Sequence, residues 1–83
     1  MLYKTKHNLV PLFELEKYHY SNSEFNYFHK GRNLTLLECT DILLYLNQEQ
    51  KIYKGKRIGS VVVYKVIYNN YVGWIEKDKL IEL

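Results

Sequence analysis

Residues 61–75 read VVVYKVIYNNYVGWI, and no other stretch restricts the fold of this chain as much. Three consecutive valines are stiff at χ1, which opposes a helix and favours a pleated strand. Asn69 and Asn70 interrupt the apolar run, and both tolerate φ > 0, as a two-residue hairpin turn requires. With such a turn Tyr68 faces Tyr71, Ile67 faces Val72, Val66 faces Gly73, Lys65 faces Trp74 and Tyr64 faces Ile75. Side chains alternate across a sheet, so one face carries Val62, Tyr64, Val66, Tyr68, Tyr71 and Ile75, and it is expected to be core. The other carries Val61, Val63, Lys65, Ile67, Val72 and Trp74, which is too apolar to leave in water. Its cover is either the aromatic first thirty residues or a partner protein.

The rest of the chain is consistent with a β-rich domain. Eighty-three residues make one domain, and a chain this short buries only about 60% of its unfolded surface. Bulky side chains must compensate, and nine Tyr, three Phe and one Trp supply them. There is no alanine, the best helix former. Strands are expected at residues 33–38 (NLTLLE), 41–47 (DILLYLN), 61–68, 71–75 and 79–83, with a short turn at residues 76–78. Residues 48–60 read as a long polar loop. The first thirty-one read as irregular: Pro11 suits an edge strand or turn, residues 12–16 one helical turn, residues 21–23 a turn. Ser23 could cap a short helix through Phe28, and His29-Lys30-Gly31 reads as a break.

Several classes of function find no support. The histidines (His7, His19, His29) and Cys39 lie ten or more residues apart, unlike zinc ligand pairs, and no metal or cofactor is expected. Cys39 cannot form an intramolecular disulfide and reads as a small buried residue with no activating neighbour. The carboxylates are scattered and form no catalytic pattern, so the domain is expected to be non-enzymatic. No apolar run approaches the roughly 20 residues of a membrane helix, and the start shows no signal-peptide core. A cytoplasmic protein without membrane contact is expected. The abundance of Asn, Lys, Ile and Tyr is what AT-rich codons encode, which fits a phage, an organelle or an AT-rich bacterium.

The segment YKVIYNNYVGWI (residues 64–75), followed by EKDKL (76–80), resembles the end of bacterial SH3-like domains. Those close with a strand like WYKV, a tight turn, a GWV strand, a one-turn 3₁₀ helix and a short last strand. KGRNLTLLE (residues 30–38) is similar to the family's KGxxxxVLE strand, and small phage proteins with SH3-like barrels carry similar endings. The resemblance covers about thirty residues in two blocks. It implies an SH3-like small barrel over residues 33–83, with one long hairpin and an aromatic N-terminal extension over residues 1–32. Cys39 to Val63 intervene where the family has a few residues, and DILLYLN pairing back on IGSVVV would accommodate them. The ALYDY signature of eukaryotic SH3 domains is absent, so PxxP recognition is not implied.

Two surfaces are candidates for function. Trp74, Lys65, Ile67 and Val72 lie on the second hairpin face, and in SH3-like domains a Trp at this position often faces a ligand; its rival role is packing under the N-terminal segment. Lys51, Tyr53, Lys54, Lys56 and Arg57 put four positive charges around an aromatic on a loop, with Gly55 allowing close approach. That suits phosphates and a stacked base, or else a solvated tip whose lysines prevent edge pairing. The net charge of +3 is too mild to decide between these. The expectation is a non-enzymatic protein-interaction module whose partner is another protein or a sister copy. Its rivals are a small-barrel nucleic-acid binder and a structural subunit of a larger assembly.

Overall fold

The Asn69-Asn70 hairpin forms in the expected register, with all five predicted pairs from Tyr68–Tyr71 to Tyr64–Ile75 in place. Asn69 adopts φ of 52° and Asn70 does not enter the left-handed region, so the turn uses the freedom of its first residue alone. The computed structural model describes residues 1–19, 26–54 and 59–83. In chain order they form β1 (Leu2–Thr5), β2 (Val10–His19), β3 (Asn26–Leu37), β4 (Leu43–Tyr53), β5 (Ser60–Tyr68) and β6 (Tyr71–Glu76). A 3₁₀ turn, Lys77–Lys79, and β7 (Leu80–Glu82) follow. All pairings are antiparallel in one seven-stranded sheet of order β3-β2-β6-β5-β4-β1-β7.

The sheet curls into a half-barrel, and irregularities in its ladders show where it bends. The β2–β3 register shifts on both sides of Phe13, and β4 bulges between Tyr45 and Glu49, where Asn47 takes φ of 56°. Such bulges bend a strand and increase its twist. The curl brings β3, at one edge, against β4, which lies four places away in the sheet. Two cores result. On the concave face Tyr3, Val10, Leu12, Leu37, Leu43, Val66, Ile75 and Leu80 pack together, lined by Tyr45, Tyr64 and Tyr68. On the opposite face of the hairpin, Phe13, Ile52 and Val63 are buried with Leu15, Phe28, Val61 and Trp74 packed on them. Thus Val61, Val63 and Trp74 are covered by side chains from the first thirty residues, one of the two covers expected for that face.

The structure corrects several expectations. Residues 1–32 are not an irregular extension laid over the sheet: they supply β1, β2 and the first part of β3, and β1 inserts between β4 and β7. The strand pattern of β2 was obscured because it is buried on both faces at its middle, Leu12 on one and Phe13 on the other. Residues 12–16 are strand, not a helical turn, and residues 26–28 belong to β3, not a short helix. The turn expected at residues 21–23 lies outside the described residues. The break at His29-Lys30-Gly31 is continuous strand. Residues 48–53 also extend β4, because Ile52 is buried inward while Glu49 and Lys51 point to solvent. Accordingly residues 61–63 pair with residues 50–52, and Leu44 and Tyr45 pair with Ile67 and Val66. Tyr71, expected in the core, is exposed at the hairpin tip.

Gly73 allows β2 to lie close against β6. A Cβ there would stand 2.9 Å from Leu12 Cγ and Leu34 Cδ1, and 3.1 Å from the carbonyl oxygen of Phe13. The backbone oxygen cannot swing aside as a side chain can. Gly73→Ala should therefore cost about 1–3 kcal/mol through overpacking, read as a lower urea midpoint. Asn69→Val, forced into a left-handed φ, should cost about 1–2 kcal/mol, whereas Asn70→Val should cost less in the same assay.

Candidate functional site

Pairing across the sheet sets a row of apolar side chains on its convex face. Leu2 opposes Leu44, Leu44 opposes Ile67 and Ile67 opposes Val72. The N–H of Leu83 donates to the carbonyl of Leu2 at 2.9 Å, which extends the row onto the last strand. Directly opposed residues share a face, so four strands and Leu83, just past β7, contribute one continuous line. Its members stay in water: Leu2 is 45% exposed, Leu44 44%, Val72 49% and Leu83 58%, with Ile67 half-buried. Ile81, opposite Lys4, widens it. Charged side chains interspersed on this face include Lys4, opposite Ile81, Lys65, opposite Trp74, and Glu76, opposite Val63 and ion-paired with Lys54.

The predicted hairpin site divides accordingly. Trp74 is half-buried on Phe13, Ile52 and Val63, with the Lys65 ammonium 5.9 Å from its ring centroid. Ile67 and Val72 lie in the exposed row. The structure therefore brings all four predicted residues to one face, but Trp74 serves mainly to join β6 to the second core. Leu2, Leu44 and Leu83 were not found by sequence reasoning. Their adjacency depends on pairing between distant strands, and no local pattern carries it.

The predicted basic cluster falls partly on β4. Lys51 and Tyr53 alternate with buried Ile52 and so share a face. The Tyr53 ring meets His29 edge-on at 6.2 Å. Lys54 forms an ion pair with Glu76, which removes its charge from any phosphate track. Lys56, Arg57 and Gly55 lie outside the described residues. His7 and His29 are on separate elements, and among the described residues no group of three or more His, Cys, Asp and Glu side chains gathers to hold a metal. Among those residues no helix is long and apolar enough to cross a membrane.

At the mouth of the concave face, Tyr45 stacks on Tyr64 at 4.4 Å and Tyr3 meets both edge-on. The Lys77 ammonium lies 5.6 Å from the Tyr64 ring centroid, and its hydrogen bond to Tyr64 raises its pKa. Where β2 separates from β6, a pocket of about 360 Å³ opens beside the loop 6–9. Compared with known protein families, with curated proteins and with solved structures, the chain shows no significant match.

A carboxylate ties the turn after β3 to the end of β5. Asp41 Oδ2 accepts from the Glu38 N–H and Oδ1 accepts from the Tyr68 hydroxyl, both at 2.7 Å. The hydrogen bond to Asp41, followed by burial, raises the pKa of Tyr68. Burial also raises Tyr3 and Tyr45, reinforced by Glu82 and Tyr64 at Tyr3 and by Tyr64 and Glu49 at Tyr45. A phenol raised in the folded state stabilises below its unfolded pKa of about 10 and loses that contribution as pH rises through the folded value. Stability measured by urea unfolding should therefore hold to about pH 10 and fall above it. Tyr68→Phe should be less stable at neutral pH and fall less steeply in the alkaline range.

Proposed function

We propose that this mostly-β domain is a non-enzymatic protein-interaction module with an SH3-like organisation. The SH3-like reading is supported by the order strand, tight turn, strand with Gly73-Trp74, 3₁₀ turn and short last strand. The interaction reading is carried by the apolar row Leu83-Leu2-Leu44-Ile67-Val72. A contiguous exposed apolar strip on a small domain is more than scattered surface leucines, and such strips mark docking surfaces. Lys4 and Lys65 border it, and Glu76, opposite Val63 on the same face, is already neutralised by its ion pair with Lys54. The complementary partner is a protein whose apolar strip is edged by Asp or Glu. A second copy would set basic borders near basic borders, which makes a different protein the better fit.

Nucleic acid is the rival, and Lys51 beside partly exposed Tyr53 is the observation that favours it. Leu44→Glu/Val72→Glu tests the module more cleanly than Trp74→Ala, because Trp74 also packs on the core. Partners captured from the native source by the wild type should survive high salt and nuclease. They should be lost with the Leu44→Glu/Val72→Glu variant, which should keep the wild-type circular dichroism, and kept with Lys51→Gln/Tyr53→Ala. Capture abolished by salt or nuclease, and unaffected by the two glutamates, would overturn this reading.

A further inference from the structure

We propose that the pocket between β2, β6 and the loop 6–9 binds a small organic phosphate, with two lysines taking the phosphate and an apolar wall taking the organic part. The cavity arises from the sheet pairing. β2 meets β6 at one residue pair, Phe13–Trp74, and on the Val10-Pro11 side of that pair β2 has no β6 partner. Pro11 has Leu36 of β3 opposite it and an empty flank toward β6. Val10, Pro11 and Phe13 form the wall, and at about 360 Å³ the pocket is within the range of small-molecule sites.

Its rim is held in place before any ligand arrives. Thr5, buried, donates from Oγ1 to the His7 carbonyl at 2.7 Å, and the Lys6 N–H donates to the Lys79 carbonyl at 2.8 Å. The Cys39 N–H donates to Asn8 Oδ1 at 2.9 Å. Between these anchors Leu9 sits at φ of 60°, a conformation unfavourable for a side chain other than glycine. A backbone kept there by surrounding contacts belongs to a shaped rim.

The charge defines the ligand. Lys30, Lys54, Lys79 and Glu76 line the pocket, and Glu76 neutralises Lys54. Among the described residues no carboxylate pairs with Lys30 or Lys79, and Lys30 instead sits 5.2 Å from the Phe13 ring centroid. Two unmatched ammonium groups at one mouth balance a dianion, whereas a carboxylate would leave one charge over. Lysine ammonium groups bind phosphate as compact point charges. A phosphomonoester with a ring or short apolar portion satisfies both the lysines and the wall.

Phenyl phosphate, inorganic phosphate and benzyl alcohol are the probes, titrated into the purified chain at low salt and followed by amide chemical shifts. Phenyl phosphate should bind saturably, with shifts centred on residues 7–11 and 79, and about tenfold more tightly than either other probe. Lys30→Gln and Lys79→Gln should each weaken it several-fold, Lys79→Arg should retain it, and Lys4→Gln on the convex face should leave it unchanged. The lysines are exposed, so the variants should melt with the wild type; if Lys79→Gln does not, Lys79→Arg and Lys30→Gln still decide. No saturable binding, shifts centred elsewhere, or equal affinity in the Lys30→Gln/Lys79→Gln variant would overturn the proposal.

Discussion

One residue pair holds this sheet together. The β2–β3 hairpin joins the remaining strands of the ladder through Phe13 opposite Trp74, with no other β2–β6 pair among the described residues. That crossing is tight because Gly73 has no side chain, so Leu12 and the Phe13 carbonyl can lie directly against β6. Phe13 then faces one core and Leu12 the other. Burial of each contributes about 1.5–3 kcal/mol, so a contact with one ladder pair is secured by side chains on both sides.

Much of the surface follows from that crossing. Because β2 touches β6 at one point and then departs, a gap is left, and the loop 6–9 and the 3₁₀ turn form its rim. Because the sheet curls, one side encloses the first core, edged by Tyr45, Tyr64 and Tyr68, and the other looks outward. Leucines and valines placed there find no second layer over them. The second core is an exception: there the two long hairpins fold onto each other, and Phe28 and Leu15 reach Ile52 and Val63. The sheet's edges are managed by ordinary means. β7 is three residues long, and β3 carries Lys30 and Arg32, the latter paired with Glu14 at 3.3 Å.

The hairpin at Asn69-Asn70 was fully legible, down to its five cross-strand pairs. Its information is local: stiff valines, a two-residue break and alternation of side chains. Residues 48–53 were misread because the polar Gln48, Glu49, Gln50 and Lys51 outnumber the single buried Ile52. Residues 10–19 were misread because the consecutive burial of Leu12 and Phe13, on opposite faces, breaks the alternation that marks a strand. Of the candidate site, Ile67, Val72 and Trp74 were visible as an over-apolar face, but which of them would be covered was not. Leu2, Leu44 and Leu83 come from three distant parts of the chain, and only their pairing makes them neighbours.

Local covalent and steric preferences, read along the chain, were enough to specify a β-rich domain, its strongest hairpin, the turn that closes it and a short turn before the last strand. Those features depend on neighbours a few residues apart, where backbone sterics and side-chain alternation act. The half-barrel curl, the cover over Trp74, the exposed row and the gap beside β2 depend on contacts between residues as far apart in the chain as Leu2 and Leu83. Such contacts form when whole faces compete for burial, and the winner is set by shape and register across the folded sheet. For that reason the exposed row and the gap emerge only with the tertiary structure, while the hairpin at their centre is already written in the order of its residues.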